Sequence, residues 1–134
     1  VTDLEAVAPE ARRARLIVCS TCRHPDGSPV DAQGLTGGQR LLNAVIAAGE
    51  GTAGLEIVEQ ACLWACSDHC TVYLSEAGKP AYLAGRFAPT ADSATALIDF
   101  ARRYVDSPQG VVPYRDWPEG VKGHFIARLP AQES

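Results

Sequence analysis

"TVYLSEAGKPAYLAGRF", residues 71–87, decides the fold. Two short runs rich in apolar, β-branched and aromatic residues, "TVYLS" (71–75) and "AYLAGRF" (81–87), flank "EAGKP" (76–80), a connector of the length and composition that closes a hairpin with a longer loop. An antiparallel strand pair therefore occupies the middle of the chain.

Toward the amino terminus, "GLEIVEQAC" (54–62) alternates Leu55 and Ile57 imperfectly with Glu56 and Glu59, and reads as a strand that delivers Cys62. Before it lies a helix. Thr36 with Gln39 three residues later has the pattern of a capping box, Leu41, Leu42, Val45 and Ile46 follow at helical spacing, and Gly49 is expected to supply a left-handed C-cap. The "STCRHPDGSPVDAQG" stretch (20–34) is dominated by residues that set turn geometry, so it is a loop, carrying Cys22 and His24. "RLIVC" (15–19) is long enough for a buried strand and too short for a helix, and it ends on Cys19.

Toward the carboxyl terminus, "ADSATALIDFARRYV" (91–105) keeps Ala94, Leu97, Ile98, Ala101, Tyr104 and Val105 on one stripe, with Thr90 or Asp92 as cap. The tail from 106 is turn-rich. Within it "HFIARL" (124–129) reads as a last strand, and Trp117 is expected to pin the tail to the body. A strand-helix-strand unit crosses over to a parallel neighbour, and the hairpin extends the same sheet. The expected fold is α/β: a thioredoxin-like mixed sheet of four to five strands with flanking helices. The chain is read as one domain over 1–134, with a polar leader (1–13), a core (15–105) and a tail (106–134).

At 134 residues, 46% apolar and 21% charged, the chain has the composition of an ordinary globular domain. A net charge of −4 with no long basic run speaks against a nucleic-acid partner. No apolar stretch reaches membrane-spanning length, and the first fifteen residues are polar where a secretory signal needs an apolar stretch. A cytoplasmic protein is expected. Five cysteines in a reducing compartment are poorly explained by disulfides, and their clustering points to ligation or thiol chemistry.

The clusters are Cys19 with Cys22, and Cys62, Cys66 and Cys70 in "CLWACSDHC" (62–70). The second could be a helix with its sulfurs stacked on one face, but a strand follows at once and Ser67-Asp68-His69 has the look of a turn, which favours a loop with backbone N–H groups aimed at the sulfurs. Four thiolates from two loops suit either a tetrahedral zinc or a 2Fe-2S cluster.

"CLWAC" (62–66), followed by the strand-turn-strand-helix run of 71–105, resembles the thioredoxin-like 2Fe-2S ferredoxins over residues 15–105. More narrowly, "CSTCRHPDG", "CLWACSDHCTVYL" and "RDWPEG" are similar to an uncharacterised bacterial family described as predicted metal-binding proteins and often associated with cobalamin-synthesis genes. The ferredoxin resemblance implies that Cys19 and Cys22 bind one iron and Cys62 and Cys66 the other. It implies an electron carrier with a redox partner protein, no catalytic residue, and a homodimer. The first pair is spaced more narrowly than in those ferredoxins, and Cys70 has no counterpart there, so Cys70 and His69 stand as alternative ligands. Around the centre, Ser67, Asp68 and Trp64 would form the supporting shell. There the Asp68 carboxylate opposes reduction, the N–H groups of Ser67 to His69 favour it, and Trp64 packs or shields.

Two rivals use the same thiols. One is a zinc or cobalt metallochaperone or metal-binding protein. The other is a dithiol oxidoreductase acting through Cys19 and Cys22, although the surroundings of thioredoxin's own redox pair are missing. His24 and His124 are read as ordinary loop histidines, and Arg23, Arg86 and Arg115 as solvated side chains, with stabilising a reduced anionic cluster or recognising a partner as the alternative for each. The "TGGQR" stretch (36–40) lacks the Lys and spacing of a phosphate-binding loop.

Overall fold

Ala14, Leu16 and Val18 are buried, whereas Arg15 between them is exposed and Ile17 half-buried, the period of two that a strand with one covered face requires. In the computed structural model, which describes residues 14–61 and 70–130, this alternation is strand β1, Ala14–Cys19. It is followed by helix α1 (Gly37–Ala48), β2 (Leu55–Gln60), β3 (Val72–Ser75), β4 (Ala81–Ala84), α2 (Ala91–Asp106) and β5 (Phe125–Leu129). Two single turns of 3-10 helix, Tyr114–Asp116 and Glu119–Val121, precede β5.

The five strands form one sheet in the order β2-β1-β3-β4-β5. β1 and β2 are parallel, with Leu16 opposite Ile57 and Cys19 opposite Gln60. Every other pairing is antiparallel: β1 with β3 places Leu16 opposite Leu74, and β3 with β4 places Leu74 opposite Tyr82. This is the mixed α/β arrangement, consistent with a thioredoxin-like fold, that the element order predicts. Both helices contact β1 and β2 and pack against one another. Leu41 and Val45 of α1 and Leu97, Ile98, Ala101 and Tyr104 of α2 thereby close over Leu16, Val18, Val72 and Leu74. Each fully buried aliphatic side chain of this kind contributes about 1.5–3 kcal/mol over its exposed state.

The helix starts are those the sequence predicts. Thr36 and Gln39 form the reciprocal capping box, with Gln39 N–H donating to Thr36 Oγ1 at 3.0 Å and Thr36 N–H to Gln39 Oε1 at 2.8 Å. Of the two candidate caps of α2, Thr90 takes the role, its hydroxyl accepting from Ser93 N–H at 3.3 Å. The other end of α2 is satisfied from outside: the buried Lys79 ammonium, at the end of the hairpin loop, donates to Tyr104 O (3.1 Å) and Val105 O (3.2 Å) and pairs with Glu76 (3.0 Å). A cation on the last carbonyls also complements the helix dipole.

Three expected boundaries are corrected. Gly49 is no left-handed cap, since its φ is −91°. The residue is small because a Cβ there would meet Ile57 Cδ1 and Ile98 Cδ1 at 2.8 Å. β4 stops at Ala84 and does not continue to Phe87, because Arg86 adopts φ +64° and Gly85 N–H turns to His124 O at 2.9 Å. β2 ends at Gln60, short of Cys62.

The tail is packed. Phe125 enters an aromatic cluster with Tyr82, Phe100 and Trp117. Trp117 Nε1–H donates to Val112 O at 2.8 Å, and Val121 is wholly buried, so the tryptophan holds the tail as expected. Among the described residues no helix is long and apolar enough to cross a membrane.

Candidate functional site

Parallel pairing puts the carboxyl ends of β1 and β2 at the same edge of the sheet, and antiparallel pairing makes β3 begin there. The Cys19–Cys22 turn, the chain leaving β2 at Ala61 and the chain entering β3 at Cys70 and Thr71 therefore meet. Backbone bonds fix the meeting: Cys19 N–H donates to Thr71 O (3.0 Å) and Ser20 N–H to Gln60 O (2.9 Å). Side chains add to it. The Thr21 hydroxyl donates to Ala61 O, and Cys19 Sγ lies 3.7 Å from the same carbonyl and 3.6 Å from Thr21 Oγ1.

The third wall is the start of α1. Thr36 Oγ1, besides capping the helix, donates to Ser20 O at 2.5 Å, and Gly38 N–H donates to Cys22 O at 3.0 Å. This approach needs the glycine pair that opens the helix. A Cβ on Gly37 would sit 2.6 Å from Arg23 O, and one on Gly38 only 2.0 Å from Cys19 O. "TGGQR" thus packs against the cysteine turn.

Cys19, Cys22 and Cys70 are all buried, Cys70 without any exposed surface. Cys22 Sγ lies 3.3 Å from Oγ1 of Thr71, itself fully buried. Burial raises the Cys22 pKa most, the Thr71 hydroxyl and N–H pull it part of the way back, and the nearby Cys19 sulfur raises it again. Burial likewise pushes the Cys70 thiol up to about 12, with repulsion from Cys22 and then Cys19 adding to the effect. Three sulfurs stand at this sheet edge, and burial favours the neutral thiol at Cys22 and Cys70 over the bare anion.

The loop that follows Cys22 is tied to α1. Asp31 accepts from Gln33 N–H (2.9 Å) and Leu35 N–H (3.1 Å) through Oδ1 and from Arg40 Nε (2.5 Å) through Oδ2. The Arg40 guanidinium contributes most to holding the Asp31 carboxyl at about 2. His24 Nε2 is 2.9 Å from Leu35 O, and His124 stacks on Phe87 with its Nδ1 3.0 Å from Gly85 O. Both histidines hydrogen-bond to backbone carbonyls of neighbouring loops. Arg23 donates to Gly27 O within the same loop at 3.3 Å.

Of the expected site residues, Cys19, Cys22 and the alternative ligand Cys70 are brought together. Cys62, Trp64, Cys66, Ser67, Asp68 and His69, and with them the choice between helix and loop for 62–70, lie outside the described residues. Among the described residues no three His, Cys, Asp or Glu side chains are arranged to hold a metal ion. Sequence reasoning missed Thr71, Gly37 and Gly38. The glycine pair directly after a capping threonine was the available signal, whereas nothing local marked Thr71.

No curated protein and no solved structure gives a significant match to the chain. With a match that extends over residues 16–131, from β1 through β5, the chain belongs to the family described as protein of unknown function (DUF1636).

Proposed function

We propose that this protein is a small 2Fe-2S electron carrier whose cluster is held by Cys19 and Cys22 from the first turn and Cys62 and Cys66 from the segment after β2. One observation carries the reading: the segment holding Cys62 and Cys66 is bounded on both sides by residues in contact with the Cys19–Cys22 turn. Ala61 O is 3.7 Å from Cys19 Sγ on one side, and Thr71 O and Oγ1 bond Cys19 N–H and meet Cys22 Sγ on the other. Cys62 is covalently next to Ala61, and Cys66 is four residues from Cys70, within about 14 Å of chain reach.

The residues present fit such a group. The three described thiols are buried and mutually repulsive as anions, a condition that a bound cationic centre relieves. When bound, a 2Fe-2S cluster supplies a one-electron couple. The chain's part is to hold and tune. As a thiolate Cys22 can only accept, so the Thr71 hydroxyl donates to its sulfur and draws charge from it. The Gly37-Gly38 contact fixes the turn, and burial keeps water from the sulfurs. A redox partner protein follows from this role, and a place beside cobalamin-related enzymes rests on the family resemblance alone.

A zinc or cobalt metal-binding protein is the second reading, and Cys70 favours it, because a third sulfur beside Cys19 and Cys22 has no counterpart in the ferredoxin pattern. The dithiol oxidoreductase has the least support, since an attacking cysteine needs a lowered pKa and some access, whereas Cys19 and Cys22 are buried and the Cys22 thiol is raised. Anaerobic purification followed by iron, zinc and acid-labile sulfide analysis separates the readings. The expected product is brown, carries two irons and two sulfides per chain, and gives a rhombic EPR signal on one-electron reduction. Colourless protein with one zinc and no sulfide rejects the electron carrier in favour of the second reading.

A further inference from the structure

Both described helices pack on one face of the sheet, over Leu16, Val18, Val72, Leu74, Tyr82 and Ala84. The residues that alternate with these, Ile17, Tyr73 and Leu83, are directed to the opposite face. Val58 follows Ile57, which packs on the core, and Ala127 pairs with Leu83, so both belong to that outer face as well. The register joins the five into one row: Val58 opposite Ile17, Ile17 opposite Tyr73, Tyr73 opposite Leu83 and Leu83 opposite Ala127. None of the five belongs to the core cluster or packs against it; four are half-buried and Ala127 is exposed. An apolar row thus crosses all five strands on the face turned away from α1 and α2.

The row is balanced about the middle strand, β3. A two-fold axis along β3 sets Tyr73 against Tyr73, Ile17 against Leu83 and Val58 against Ala127 of a second copy, apolar on apolar at every position. The charges of this face are confined to one half of it, where Arg15 of β1 pairs with Glu56 of β2 at 3.6 Å. The same axis lays that pair over the level of Ala81 and Leu129, while Arg128, opposite Tyr82, belongs to the helix face, so like charges on these strands do not meet. A helix laid along the strands, about 10–12 Å across, covers two or three of them, whereas a second sheet stacked at about 10 Å meets all five. Five strands of four to six residues make a face about 24 Å wide and about 13–20 Å long, so two such faces hide a footprint of about 600–1,000 Å² together, the size of a weak, reversible interface.

We infer that the outer face of the sheet is a self-association surface, on which two copies of the chain stack through the row Val58, Ile17, Tyr73, Leu83 and Ala127. The inference stands whatever the thiols hold. Because the axis runs along the strands, the Cys19 ends of both sheets lie at the same end of the dimer. The sign of the salt effect follows from the chemistry: the contact is apolar and each chain carries a net charge of −4, so added salt screens the repulsion between copies and does not weaken their association.

The test is sedimentation equilibrium over a concentration series, at low and high salt, on the anaerobically purified wild type and on Tyr73→Glu, Val58→Lys and Tyr114→Ser, with circular dichroism and thermal midpoints measured in parallel. The expected wild type passes from monomer to dimer as concentration rises, no less readily at high salt. Tyr73→Glu, at the centre of the row, should weaken the dimer at least about tenfold. Val58→Lys should weaken it too, and because β2 is an edge strand that takes a charge without loss of fold, it decides the matter if Tyr73→Glu does not fold. Tyr114→Ser removes an exposed ring that packs on Trp117, outside the row, and should leave association unchanged. A dimer that folded Tyr73→Glu or Val58→Lys protein forms as readily as wild type, or one that Tyr114→Ser abolishes, overturns the inference. So does a wild-type chain that stays monomeric at every concentration, its outer face then being left to another protein or to another segment of the same chain.

Discussion

Gly38 shows how little room the cysteine turn has. The atoms that a Cβ would strike are Cys19 O at 2.0 Å, Ser20 C at 2.9 Å and Cys19 C at 3.0 Å, all backbone, so no side chain can swing aside. Gly38→Ala should cost at least about 1–3 kcal/mol in urea denaturation and, because the displaced group is the carbonyl of Cys19, a proposed ligand, should lower bound iron as well. Wild-type stability and iron content in that variant would mean that the turn does not lie against α1. At this scale the sequence was only partly readable. Cys19 and Cys22 stand out by residue type and by their place at the end of an apolar run. Thr71 looks like the first residue of a strand, and its burial against Cys22 comes from a contact 49 positions away that no local pattern encodes.

The loop of residues 24–35 leads from the cysteine turn to α1, and its anchorage through Asp31 and Arg40 is electrostatic. Turn-forming composition made the loop legible, but composition did not pair Asp31 with Arg40, since either charge alone looks like surface. The consequence is pH-dependent. The Asp31 carboxyl titrates near 2 when folded and near the ordinary 3.8 when unfolded, so the unfolded chain binds its proton first as pH falls. Its stabilising contribution is complete above about pH 4 and is lost between there and about pH 2. In urea titrations Asp31→Asn should therefore be less stable than wild type at neutral pH, and the gap should close as pH drops from 4 to 2. A gap that stays constant over that range would show that the Arg40 pairing is not what lowers the carboxyl. Helices were legible for a simpler reason: their caps and stripes are local. Gly49 and the end of β4 were not, because the first is set by two isoleucines from other elements and the second by Arg86 and His124.

For the molecule as a whole, the hairpin, the crossover through α1 and the terminal helix dictate the sheet, and the order of elements was enough to place β1 and β2 side by side. The packing of the tail was less legible, because its two 3-10 turns and the edge strand β5 depend on Trp117, Val121 and Phe125 finding α2 and β4. The same topology brings Cys19, Cys22 and Cys70 to one edge, together with Ala61. A set of single Cys→Ser variants, each purified anaerobically and scored for iron and sulfide per chain, tests most directly whether that edge houses one shared centre. The account predicts that Cys19→Ser, Cys22→Ser, Cys62→Ser and Cys66→Ser all lose the cluster while Cys70→Ser keeps it. Retention in both Cys19→Ser and Cys22→Ser, or loss in Cys70→Ser with Cys22→Ser intact, would contradict it.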